Sequence, residues 1–282
     1  MFYADGILRK SSLIDEIPGI FHGFSTRAGG VSTLPHTASL NLSHNLGDPE
    51  DVVRANLEIF ARTLSDGMYG GDATVTLHQI HSAKVRTLTR ANAGEGYSLP
   101  RGEDGDGFVT VQAGVIPIAR VADCVPILLA GVTADGRPVV SAGHAGWRGT
   151  VSGIAAEAVR KMAALDCDIS TVRAAIGPHI GFCCYEVGAD FFETVCGLGG
   201  TDFAARHITV PAGKTKHHAN LTSMNAEILT SAGVAPEHID LCADCTMCMS
   251  DVYYSHRATG GKRGVMGAGI GIRENAPSDD FQ

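Results

Sequence analysis

The chain is predicted to form an α+β domain of mixed β-sheets packed beside helices, and three observations carry that prediction. Short, often β-branched stretches are interspersed with helix-like stretches in no strict order, which argues against a doubly wound parallel sheet. Hydrophobic residues make up 44% and charged residues 18% of the 282, a balance that excludes a disordered chain. No shift in composition marks a boundary, so a single domain is expected, with an acidic, frayed tail after residue 274.

Taken in order, residues 48–64 read as a helix, and 74–77, 84–88, 107–111 and 115–120 as strands. The strands expected at 127–130 and 138–142 flank GVTADGRP, whose Asp-Gly pair signals a hairpin turn. Pro126 sits just ahead of the first, where a missing N–H is tolerated. In the helix expected at 151–165, Ile154, Ala155, Ala158, Val159, Met162 and Leu165 fall on one face. A strand follows at 172–176. Residues 200–218 read as a flexible excursion whose KTKHH segment is a solvated loop, and Asn220 and Thr222 are capping candidates for a helix at 220–232.

A net charge of −8 argues against nucleic acid or an anionic membrane as partner. The first twenty residues lack the pattern of a signal peptide, and no apolar run approaches the roughly 20 residues of a membrane helix. A cytoplasmic protein with a small-molecule substrate is expected; the sequence does not specify an oligomeric state. The eight cysteines then point to metal binding, catalysis or burial rather than a disulfide framework.

Three motifs place a metal ligand beside an expected strand: His78 and His81 in LHQIHS, Asp123 and Cys124 in VADCVPILL, and His144 in VSAGHAGWRG. Cys124 and His144 are 20 positions apart, which a hairpin would span, bringing both to one end of a sheet. One thiolate and two imidazoles make a zinc set with an open fourth position, and the same donors suit copper. Cys242, Cys245 and Cys248 have C-x-x-C spacing with His256 as the nearest fourth ligand, but lack the second spaced pair of a zinc ribbon. The adjacent Cys183 and Cys184 read as packed thiols. For an anion, Arg148 and the amides of Gly149, Thr150 and Val151 lie at an expected helix start. Arg27 in STRAGGVS, and Lys262 and Arg263 in GKRG, are further cationic candidates.

The ordered motifs HGFSTRAGGVS, SLNLSHNLGD, LHQIHS, GDGFVT, ADCVPILL, AGHAGWRG, IGPHIGFCCYEVG and CTMCMSDVYYSHR together resemble the YfiH/laccase-domain family, from about Phe21 to Arg263. Its members were first called polyphenol oxidases and later described as purine nucleoside phosphorylases with adenosine deaminase activity. The resemblance implies a layered α/β/β/α fold and a metal held by His81, Cys124 and His144, with His78 a neighbour. Zinc is the expected metal, with copper possible as a second.

The implied reaction is phosphorolysis of inosine or adenosine, with deamination beside it. Cys124, His144, Asp123 and Arg148 are the catalytic candidates, and Arg148, Arg27, Arg263 and Asn41 the substrate contacts. Asp106 and Asp123 are expected to orient ligands or move protons, and Glu186 is a further acid/base candidate. The fold's likeness to toxins with a Cys-His deamidase pair suggests instead a Cys124 nucleophile activated by His144, which excludes simultaneous metal ligation. Two departures from the family touch anion contacts: Asn56-Leu57 stands in place of Asn-Arg, and Ser255-His256-Arg257 carries one arginine instead of two. A cytoplasmic peptidoglycan-precursor editing factor is the alternative role. A copper-dependent polyphenol oxidase is another, but the paired His-x-His repeats of multicopper enzymes are absent from the sequence.

Overall fold

Strands that are apolar on both faces must be covered on both sides, and this chain covers them by stacking two sheets and placing helices outside each. The computed structural model describes residues 1–274, so the tail expected after residue 274 lies outside the described residues. The first six-stranded sheet runs β1 (Phe2–Asp5), β2 (Leu8–Ser11), β3 (Ile20–Ser25), β14 (Met266–Ile272), β7 (Ile116–Val121) and β4 (Thr74–Val75). The second runs β13 (Ile239–Leu241), β10 (Arg173–Ile176), β8 (Val125–Val132), β9 (Pro138–Ala145), β6 (Gly107–Thr110) and β5 (Val85–Thr87). A small antiparallel ribbon joins β11 (Ile208–Thr209) to β12 (His218–Ala219). Both sheets are mixed: β4 runs parallel to β7, β5 to β6 and β10 to β13, and the other pairs are antiparallel.

Between the sheets, Phe24, Ala119, Ala268 and Ile270 of the first pack against Phe108, Leu128, Val140 and Ala175 of the second. Outside the first sheet, helix α2 (Glu50–Leu64) buries Val53, Leu57, Phe60 and Leu64 against Phe21, Ile116 and Ile118. Outside the second lie α4 (Ile154–Ala163), α5 (Ala189–His207) and α6 (Leu221–Ser231), which cover Val125, Ile127, Leu129 and Val139. Three short helices complete the set: α1 (Ser12–Asp15), α3 (Trp147–Val151) and α7 (His256–Thr259). The layering is α/β/β/α, as expected.

Several local expectations are corrected. The helix read over 151–165 is two, α3 and α4, because Gly153 takes φ +80° between them. The flexible excursion over 200–218 is instead the second half of α5, which kinks at Gly200 (φ +80°), followed by the β11–β12 ribbon. His218 is buried there rather than solvated, and its Nδ1 donates to the carbonyl of Phe182. Strand β14 escapes propensity reasoning because MGAGIGI is glycine-rich. Its glycines serve close packing: a Cβ on Gly269 would lie 2.7 Å from Leu64 Cδ2 and 3.2 Å from Phe60 Cε1. In β9, by contrast, a Cβ on Gly143 would meet nothing nearer than 3.8 Å.

Gly269→Ala is therefore expected to lose about 1–3 kcal/mol of stability through overpacking, and Gly143→Ala well under half of that. Urea denaturation of both variants checks the contrast; equal losses would refute the packing account of β14.

Candidate functional site

The chain passes from one sheet to the other through three residues, Ala122, Asp123 and Cys124, between the end of β7 and the start of β8. So short a corner demands a left-handed residue, and Asp123 supplies it at φ +85°. Its carboxylate then pins the corner, accepting from the Thr246 hydroxyl at 2.6 Å and the Arg257 backbone N–H at 2.6 Å. Beyond the corner, β8 returns as β9 through a turn closed by the Thr133 N–H on the Arg137 carbonyl, with Gly136 at φ +85°. The register pairs Pro126 with His144. His144 donates its N–H to the Asp106 carbonyl at 2.7 Å, on the β6 side, and Pro126 offers its carbonyl to Gly177 at 3.0 Å on the other side. Pro126 thus faces His144 in a non-hydrogen-bonded pair, and its missing N–H takes nothing from the hairpin. The result sets Cys124 beside His144.

The third donor comes from the loop after β4. Gln79 clamps that loop to β7, donating to the Arg120 carbonyl at 2.8 Å and accepting from the Arg120 N–H at 2.9 Å. Asp106 takes the loop's tip: its oxygens accept from the N–H groups of His81 at 3.0 Å and Ser82 at 2.6 Å and from the Ser82 hydroxyl at 2.8 Å. This holds His81 at φ +59°. The same carboxylate binds His144 Nδ1 at 2.8 Å, which leaves Nε2 free to face the other donors.

The donor atoms of His81, Cys124 and His144 all lie within 4.8 Å of one another, with Cys124 Sγ 4.0 Å from His81 Nε2. Tetrahedral zinc with ordinary bond lengths would draw such donors to about 3.3–3.6 Å, a side-chain adjustment only. Gly146 provides the room. A Cβ there would stand 2.7 Å from the His81 ring and 3.2 Å from Cys124 Sγ, inside the space the donors converge on. Donor chemistry and cradle both fit one soft or borderline cation with an open position.

Electrostatics follow from this packing. Burial alone would raise the Cys124 thiol and lower His144. Hydrogen bonds from the two histidines instead draw the thiol down to about 6, and Asp106 and Cys124 raise His144 to about 9. Burial likewise works against Asp106, but its bonds to His144 and Ser82 hold it at about 2.

The cluster stands between two cavities. One, of about 280 Å³, is lined by Trp147, Arg148, Tyr185, His256, Arg257 and Arg263 besides His81 and Cys124. The other, of about 240 Å³, is more polar, with Ser43, His78, Gln79 and Arg120, and it shares His81, Cys124 and Arg263 with the first. A larger cavity of about 850 Å³ near His44, Arg54 and Arg101 contains none of the three donors. All three donors line the 240 Å³ cavity, and His81 and Cys124 also line the 280 Å³ cleft with its aromatic and arginine side chains.

Among the expected site residues, Arg148 and Arg263 line this cleft and Asp123 closes its floor. Arg148 lies over the Trp147 ring at 4.3 Å, and Trp147 packs on Phe191 at 5.3 Å. Arg263 carries a buried Nε with no partner among the described residues, a donor left for a ligand. One of the expected helix-start amides is corrected: α3 begins at Trp147, so the Thr150 N–H is already bonded to the Gly146 carbonyl, while Gly149 lies in the first turn. Arg27 is placed elsewhere, with its guanidinium clamped on the carbonyls of Ala38 and Ser250 and stacked on Tyr254. Asn41 is fully buried and bonded to Ser43, Asp48 and Val265. Glu186 points out to Lys216, and His78 is an exposed partner of Asp104. Lys262 does not line the cleft.

Sequence reasoning missed Tyr185 and Arg257 as lining residues, although Tyr185 adjoins Glu186 and Arg257 stood in a noted motif. Arg257 lies over the Tyr185 ring at 5.3 Å and donates to the Glu186 carbonyl. The cysteine grouping also changes: Cys245 and Cys248 meet Cys183 and Cys184, not Cys242 and His256. Cys242 is buried, with its N–H on the Ile176 carbonyl.

Residues 21–273 match the family described as multi-copper polyphenol oxidoreductase laccase. The chain is similar to a purine nucleoside phosphorylase of Deinococcus radiodurans, 34% identical over 251 residues that cover 89% of this chain and 88% of that one. It is also similar to adenosine deaminase RL5 of an unknown prokaryotic organism, 30% identical over 269 residues covering 93% and 98%. The crystal structure of a hypothetical protein YfiH from Bacillus licheniformis superposes with a TM-score of 0.85 at 28% identity, covering 96% of this chain and 99% of that one.

Two outcomes follow from the geometry. In chelator-treated protein, iodoacetamide labelling of Cys124 should rise through pH about 6, because the thiolate forms above its lowered value; a midpoint above about pH 8, where ordinary thiols titrate, would sink the coupling to His81 and His144. Asp106→Asn should weaken zinc binding by about 10–100-fold, read by competition with a chromogenic chelator.

Proposed function

The chain belongs to the multi-copper polyphenol oxidoreductase laccase family, and from that membership we propose that it is a zinc-dependent purine nucleoside phosphorylase acting on inosine and adenosine, with hydrolytic deamination of adenosine at the same centre. The observation that supports this most directly is the convergence of His81, Cys124 and His144, two of which, His81 and Cys124, line one cleft with Arg148, Arg257 and Arg263. A metal held by the three donors supplies Lewis acidity at its open position.

The chain's own groups account for binding and charge. Arg148 lines the cleft and Arg263 keeps a buried Nε without a partner there, so both can offer positive charge to phosphate. Trp147 and Tyr185 present aromatic surface on which a purine can lie. In phosphorolysis a phosphate oxygen bonds to the ribose C1′ as the C1′–N9 bond breaks, and the electron pair leaves with the purine. The proton that the base gains is the one monohydrogen phosphate loses, so the products are free base and ribose 1-phosphate. Asp106 keeps His144 fixed in one tautomer through this, so the site is organised before substrate arrives.

The phenol-oxidase reading of the same three donors is disfavoured by electron count. Reducing oxygen to water takes four electrons, more than a single copper cycles, and the sequence has no His-x-His pair.

The test is product analysis of inosine with zinc-loaded protein, with and without phosphate, beside Cys124→Ala. Hypoxanthine and ribose 1-phosphate are expected only with phosphate and only in the parent; absence of hypoxanthine in both would remove the nucleoside reading. Arg148→Ala should raise the KM for phosphate about tenfold to a hundredfold, the worth of one charge-assisted hydrogen bond, without changing zinc content. An unchanged phosphate KM would take Arg148 out of the anion site.

A further inference from the structure

Four cysteines outside the cleft converge in a way the proposed reaction does not use. Cys183 and Cys184 lie in the segment after β10, and Cys245 and Cys248 in the segment after β13, more than sixty positions later. Their four sulfurs all lie within 4.8 Å of one another. Cys248 Sγ is 3.4 Å from Cys184 Sγ and 3.6 Å from Cys183 Sγ. These are too long for disulfide bonds, which measure about 2.05 Å. They are close to the ~3.8 Å edge of a tetrahedron built on zinc–sulfur bonds of about 2.3 Å. All four thiols are free.

The backbone favours a thiolate at Cys245, while burial and the neighbouring sulfurs push the Cys183 thiol up to about 11 and Cys184 higher still. The Gly181 N–H donates to Cys245 Sγ at 3.2 Å. Burial raises the Cys245 thiol, yet backbone N–H groups of Cys248, Gly181 and Met247 bring it below its ordinary value. A Cβ on Gly181 would sit 3.3 Å from Cys183 Sγ and 3.5 Å from Cys245 Sγ, so the glycine keeps the space around the sulfurs open.

We propose that Cys183, Cys184, Cys245 and Cys248 form a structural four-thiolate zinc site. Zinc binding there converts four thiols to thiolates and releases their protons, giving a closed site with no position for substrate. It would tie together two segments that both wall the active cleft. Cys184 immediately precedes Tyr185, and Thr246, which follows Cys245, holds the Asp123 carboxylate. Cys242 stays outside the set.

Cobalt substitution tests this in the full chain. Cys124→Ala removes a donor from the cleft centre, so any remaining four-thiolate signal belongs to the second site. That variant, stripped by chelator under reducing conditions and titrated with Co²⁺, is expected to bind one equivalent. The spectrum should show strong sulfur-to-cobalt charge transfer and the intense red bands of a tetrahedral thiolate complex. Adding Cys248→Ser should weaken zinc retention by more than the roughly 10–100-fold cost of losing a supporting group, while Cys242→Ser should leave both spectrum and affinity unchanged. If Cys248→Ser fails to fold, the stoichiometry and spectrum of Cys124→Ala alone still decide. Absence of the charge-transfer band, a Cys183–Cys248 or Cys184–Cys248 disulfide in the unreduced chain, or iron bound there in the purified protein would each overturn the proposal. Nucleoside turnover plays no part in this readout, so failure of the phosphorylase reading leaves it intact.

Discussion

Asp106 is buried where the loop carrying His81 meets the strand carrying His144, and its two oxygens accept from both elements at once. An ionised carboxylate so placed loses several kcal/mol of hydration, and it persists because its lone pairs are filled by N–H and O–H donors. Its own carbonyl also takes the His144 N–H. Backbone and side chain of one residue thus fix the backbone of His81 and both the position and the tautomer of His144, two donors that are distant in sequence. The link between the sheets supplies the third donor, and Asp123 pins that link from the opposite side. The stacked sheets are the frame that makes these two carboxylates meet their partners.

Much of this was legible because it is local. The Asp-Gly turn, the β-branched strands around it and the amphipathic face of α4 each declare themselves within a window of about fifteen residues. The three donors were legible for the same reason, since each sits beside a strand with a turn signal. What escaped depends on tertiary partners. Gly267, Gly269 and Gly271 make β14 look like a loop until Phe60, Leu64 and Phe21 are seen against them. Helix α5 contains Gly197, Gly199 and Gly200, which hid its pattern.

Arginines were the least legible class. Arg27, Arg148 and Arg263 look alike in sequence, each beside glycines, yet the fold gives them different employment. Carbonyls bind all three guanidinium nitrogens of Arg27, whereas Arg263 keeps a buried Nε unpartnered in the cleft. Cysteines behaved similarly: C-x-x-C spacing pointed to Cys242 with Cys245, but the chain turn after residue 244 sends Cys242 into the β13 edge and presents Cys245 and Cys248 to the other pair. Spacing reports which residues can act together, and only the path of the chain decides which do.

His81, Cys124 and Arg263 border both the aromatic cleft and the polar cavity behind it. They therefore act as a party wall with two rooms. A small polar molecule shaped for the room lined by Ser43, Gln79 and Arg120 would reach the donor atoms without touching Trp147 or Tyr185. The two-sided wall makes the centre addressable independently of substrate recognition.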